Sequence, residues 1–102
     1  MKLITKEVQN KLDANMKKEQ DERQPVVKFF DPTGSATWWI SEKDGDILYG
    51  IADLGLGFRE FGTVSLRELE TVKCNFGLGI ERDMHWKPRA DEFEKLVAEG
   101  AM

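Results

Sequence analysis

The segment Glu81-Arg82-Asp83-Met84-His85-Trp86 holds the residue types best suited to chemistry. On an extended strand successive side chains alternate faces. Glu81, Asp83 and His85 then share one face, and Ile80, Arg82, Met84 and Trp86 share the other. Two carboxylates and an imidazole so spaced could bind a divalent cation or do acid–base work. A solvated sheet face has the same composition, and a metal usually draws ligands from more than one element. Glu81, Asp83 and His85 are therefore expected to serve as surface contacts, with no metal or other cofactor assigned to them. Arg82 falls on the face expected to pack. It is expected to pair with a carboxylate such as Glu70 or Glu68, a structural clamp rather than a reactive group.

Other chemistry-bearing patterns are weaker. Leu54-Gly55-Leu56-Gly57 and Phe76-Gly77-Leu78-Gly79 are glycine loops. Neither opens a helix nor carries the lysine and hydroxyl of a P-loop, so both are expected to be turns that need positive φ. Asp44-Gly45-Asp46 lacks the remaining ligands of a calcium loop and is expected to be a hairpin turn. Trp38 and Trp39 are adjacent, so a strand sends them to opposite faces. One belongs in the core, and the other lies under a helix or stands exposed as a binding anchor. A core position for every tryptophan is the competing expectation. The single cysteine, Cys74, allows no intrachain disulfide and no cysteine-based zinc site. It reads as a small filler.

Composition bounds the functional classes. The chain of 102 residues is expected to form one domain, residues 1–102, with a modest core. With 40% hydrophobic and 33% charged residues it is too apolar to be disordered. A net charge of −4, from 15 basic and 19 acidic residues, disfavours direct binding to nucleic acid, which needs basic surface. It also disfavours close mimicry of a polyanion. The stretch after Met1 turns polar too soon for a secretory signal, and no apolar run suffices to cross a bilayer. A cytoplasmic protein with no membrane contact is expected.

The elements that position these residues follow from periodicity. Thr5 is an N-cap for a helix over 6–18 with Ile4, Val8, Leu12 and Met16 as its apolar stripe. The polar run Lys17 to Gln24 is expected to be a frayed helix end or a loop. Short β-branched and aromatic runs predict strands at 26–30, 37–40, 47–52, 58–64 and 80–86. Ser65-Leu66-Arg67-Glu68 is a capping box opening a short helix to about residue 72. Asp91 and Glu94 form a second box for a helix over 92–99. The pattern predicts an α+β fold, an antiparallel sheet of about five strands covered on one face. An N-terminal helix, a C-terminal helix and a short helix before the last strand complete it.

Four segments together resemble a known family. They are Leu3-Ile4-Thr5-Lys6-Glu7, Val27-Lys28-Phe29-Phe30-Asp31-Pro32 with the Trp38-Trp39 strand, Ser65-Leu66-Arg67-Glu68-Leu69-Glu70, and Gly77-Leu78-Gly79-Ile80-Glu81-Arg82-Asp83. In this order and spacing they are similar to Domain of Unknown Function 2958, small proteins of plasmids, integrative elements and phages. The resemblance runs from the first helix to the fifth strand. It implies a genomic setting and no mechanism.

The function expected from this setting and charge is non-catalytic. It is a protein-binding accessory factor of a mobile element or phage that inhibits host machinery such as a CRISPR effector or other defence system. The anchor is whichever of Trp38 and Trp39 faces outward, with Glu81 and Asp83 on the rim. Two alternatives stand beside it. One is a metal-dependent hydrolase or nucleotide-processing enzyme using Glu81, Asp83 and His85. The other is a nucleic-acid-binding accessory protein, if Lys2, Lys6, Lys11, Lys17 and Lys18 cluster.

Overall fold

A computed structural model describes residues 2–73 and 75–100. The reading of Cys74 lies outside the described residues. The order is α1 (Lys6–Met16), β1 (Val27–Phe30), β2 (Thr37–Asp44), β3 (Ile47–Asp53), β4 (Arg59–Ser65), α2 (Leu66–Thr71), β5 (Glu81–Arg82) and α3 (Glu92–Glu99). All neighbouring strands are antiparallel, in the order β4-β3-β2-β1-β5. This is the expected α+β architecture.

The first helix starts as its cap predicts, with Thr5 Oγ1 accepting from Val8 N at 3.2 Å. It ends two residues early. Ile4, Val8 and Leu12 are buried, but Met16 is 38% exposed. A spacing of four overshoots the 3.6-residue turn by about 40° per step, so Met16 has rotated off the inward face. Asn15 takes the inward place and is buried. Its Nδ2 donates to the carbonyls of Gln24 at 2.8 Å and Ser41 at 2.9 Å. Ser41 sits where the β2–β3 register shifts, at a bulge between Ile40 and Glu42. A helix asparagine thus satisfies a carbonyl that the bulge withdraws from the ladder. The polar run after α1 is also fixed, as a 3-10 turn at Gln20–Glu22. Arg23 donates to the carbonyls of Asn15, Met16 and Lys18 around the helix end, where the intrahelical ladder runs out. It also pairs with Glu42 at 3.2 Å.

The hairpin between β2 and β3 turns on Gly45, whose φ of +59° suits the first position of a tight turn. Asp46, the next residue, caps α2 together with Ser65. Glu68 N donates to Ser65 Oγ at 3.2 Å, and Arg67 N donates to Asp46 Oδ1 at 2.8 Å. The Ser65 hydroxyl and the Arg67 amide hold the Asp46 carboxyl below its ordinary value.

Helices cover both faces of the sheet, which corrects the expectation of one covered face. On one face Leu3, Val8 and Leu12 of the N-terminal region and Leu69 of α2 meet Val27, Phe29, Ile40 and Leu48. On the other, Phe93 and Leu96 of α3 meet Trp39 and Ile51, with Trp86 against them. The consecutive burial of Trp39, Ile40 and Ser41 on β2 requires cover on both sides.

The predicted second capping box at α3 does not form. Asp91 adopts φ +54° and makes no side-chain cap. The helix is capped from a distant part of the chain instead. Gln24 Oε1 accepts from Phe93 N at 2.8 Å, and Gln24 Nε2 donates to the Glu94 carboxylate at 3.3 Å. At the other end Arg59 Nη1 donates to Leu96 O at 2.7 Å. Arg59 also pairs with Asp53 at 3.2 Å and lies 5.1 Å from the centre of the Trp39 ring. Buried Glu92 receives Arg89 at 2.6 Å, and Arg89 reaches Glu99 at 2.6 Å as well.

Candidate functional site

The predicted cluster on the fifth strand is not assembled. That strand was expected over 80–86, but β5 spans only Glu81–Arg82. Asp83 ends it, because its Oδ1 accepts from the backbone N–H of both His85 and Trp86 at 3.0 Å and turns the chain. Alternation therefore stops before His85, which lies exposed in the turn. Glu81 pairs in register with Phe30, and Asp83 binds Lys28 Nζ at 3.6 Å, so these two carboxylates remain on the α3 side. Among the described residues no three of His, Cys, Asp and Glu converge as a metal site would require.

Arg82 registers with Phe29 and so faces α1, as alternation requires. Its Nη1 donates to the Lys2 carbonyl at 2.8 Å, tying the N-terminal segment to the sheet edge. The residue is half-buried rather than enclosed, and Glu70, the carboxylate expected to pair with it, is exposed on α2.

Trp38 and Trp39 do point to opposite faces. Trp39 is buried under α3, with Lys28 and Arg59 over its ring. Trp38 packs against the α1-side core yet stays half-buried, because α1 and α2 leave part of that face open. Its side chain stands between two adjoining hollows. One, of about 520 Å³, runs to Val64, Leu69, Val72 and Ile80. The other, of about 360 Å³, lies over β3 and β4. Its floor is built of small residues, since Gly50 pairs with Gly62 and Ala52 lies on the same face. Leu54 and Val64 flank it. Gly50 is required there, because a Cβ would stand 1.8 Å from the Trp39 carbonyl oxygen. Gly62 is not so constrained, as a Cβ would meet nothing within 4 Å. Glu60 stands on the rim of this trough, and Asp31, Glu68 and Lys73 line the adjoining hollow.

A third hollow, about 710 Å³, opens on the α3 side of the sheet. Tyr49 and Phe61 wall it with rings stacked at 6.2 Å, and Phe93 meets Phe61 edge-on at 5.0 Å. Glu19, Asp21, Glu42 and Glu94 line it, with Arg23 as the cation among them. No feature of the sequence pattern singled out this cleft, since its walls come from the loop after α1, three strands and α3.

Residues 3–94 match the family described as Protein of unknown function (DUF2958). The chain belongs to the DUF2958 family. No curated protein and no solved structure matches it. The segments that carried the resemblance lie on structural joints of this DUF2958 chain. Val27 to Pro32 is β1 and its turn, Ser65 to Glu70 is the cap and body of α2, and Gly77 to Asp83 leads through buried Ile80 into β5. The match reaches residue 94, and so includes both Gln24 and the first turn of α3 that it caps. No helix among the described residues is long and apolar enough to cross a membrane.

Proposed function

We propose that this DUF2958 protein is a non-catalytic binding factor that docks on another protein through the open trough beside Trp38. The trough supports this reading: a half-buried tryptophan standing over a floor of Gly50, Ala52 and Gly62 is a preformed apolar seat with Glu60 on its rim. The target we propose is a host protein with a basic nucleic-acid-binding surface, such as a defence effector. That follows from the mobile-element setting implied by the family resemblance and from the net charge of −4.

The test fills the seat without disturbing what holds the fold. Gly62 has a φ open to any residue and free space at its Cβ, so Gly62→Val should fold normally, within about 0.5 kcal/mol of the parent. Tagged parent protein should capture a host protein from lysate, and Gly62→Val should lose it. Gel shifts with duplex and single-stranded nucleic acid should show weak binding by both. Tight nucleic-acid binding at physiological salt with no protein captured would overturn the proposal.

A further inference from the structure

We infer that the exposed edge of β4 accepts an extended segment of the partner as an added strand, and that this segment alternates apolar and basic residues. The inference rests on the protein-binding reading above and names the chemistry of the partner. β4 is the outermost strand and pairs with β3 alone. The bond from Leu66 N to the Asp46 carbonyl sets the phase of that ladder. Antiparallel pairs alternate between hydrogen-bonded and non-bonded, so Val64, Gly62 and Glu60 bond to β3. Phe61 and Thr63 then turn their N–H and C=O groups away from the sheet. Natural edges are usually short, bulged or proline-bearing. The opposite edge, β5, has 2 residues, whereas β4 has 7, with a regular register and no proline.

The two hollows beside this edge specify the side chains. An added strand sends alternate residues to opposite faces. Those on the α1 side reach the trough at Gly62 and Val64, which suits an apolar residue. Those on the α3 side reach the cleft at Phe61, where stacked Tyr49 and Phe61 and the carboxylates of Glu19, Asp21 and Glu94 suit an arginine. Arg23 is already paired with Glu42, so the remaining charge in the cleft is negative.

A short labelled peptide of alternating arginine and valine is the probe, with a glutamate–valine peptide as control. Anisotropy should show saturable binding of the first and little of the second. Thr63→Pro removes an outward N–H that the fold does not use, which an edge strand tolerates. It should weaken binding by about tenfold or more. Methylating alternate amides of the peptide should do the same without touching the protein. Charge reversal by Glu19→Lys with Asp21→Lys should erase the preference for arginine. Absent binding, or full binding by the methylated peptide, overturns the inference. A parent dimer that Thr63→Pro dissolves also overturns it, because the edge would then be taken by a second copy. If Gly62→Val loses the host protein while Thr63→Pro keeps it, strand addition fails and the protein-binding reading stands. If the peptide binds as described but no host protein is captured, the binding reading fails and the edge chemistry stands.

Discussion

The two faces of the sheet are closed by different means. Under α1 and α2 the closure is apolar and deep: Leu3, Leu12, Phe29 and Leu48 have no exposed surface. Under α3 a smaller cluster of Trp39, Ile51, Phe93 and Leu96 is supplemented by polar clamps at both helix ends. A helix of 8 residues is too short to hold itself together, so its free N–H and C=O groups need partners supplied by the sheet and loops. One face is held chiefly by apolar burial, which does not titrate. The other depends on particular side chains, Gln24, Arg59 and Arg89.

The difference can be broken most directly from the apolar side. Phe29→Ala should cost about 3–5 kcal/mol in denaturant unfolding, because the ring is fully buried between two strands and α1. Asn15→Ala should cost about 1–3 kcal/mol, since the Ser41 carbonyl at the bulge would be left buried and unpaired. Gln24→Ala should cost only about 1 kcal/mol, the size of a lost N-cap. Its effect should be local, with hydrogen exchange accelerated at Phe93 and Leu96 and unchanged in α1.

A smaller, pH-dependent effect separates the faces electrostatically. Burial pushes the Glu92 carboxyl up, but the Arg89 hydrogen bonds outweigh it and leave the group below its ordinary value of 4.5. Arg89 lowers Glu99 likewise, and Ser65 with the Arg67 amide lowers Asp46 from 3.8. Each folded value lies below the unfolded one. The stability these groups add is therefore full above about pH 4.5 and is lost as pH falls through the lowered values. Arg89→Ala should remove the contribution of Glu92 and Glu99 and leave that of Asp46. Melting curves from pH 7 to pH 2 should thus show a shallower acid decline in the variant.

Much of the fold is legible in local sequence. Thr5 and Ser65 announce helix starts through hydroxyls that accept from amides three residues on, Gly45 marks a tight turn, and β-branched runs mark β1 to β4. What local pattern cannot carry is partnership between distant segments. Asn15 breaks an apolar stripe for the sake of a bulge 26 residues away, and Gln24 caps a helix 69 residues later. The fifth strand was overextended because Asp83 offers its carboxylate to the following amides, which alternation of face does not register. The candidate trough was half legible. Adjacency of Trp38 and Trp39 forces them apart, but only the placement of α3 decides that Trp39 is the covered one.

The strand order has a kinetic consequence. β1, β2 and β3 each pair with the next strand in sequence, so this four-stranded meander closes short loops and needs little ordering before contacts form. β5 alone pairs with a strand distant in sequence, β1, at the sheet edge opposite β4. The meander with α1 is therefore expected to nucleate folding, with β5 and α3 joining after the main barrier. Damage to Phe29 then slows refolding, while damage to the Gln24 clamp leaves refolding alone and quickens unfolding.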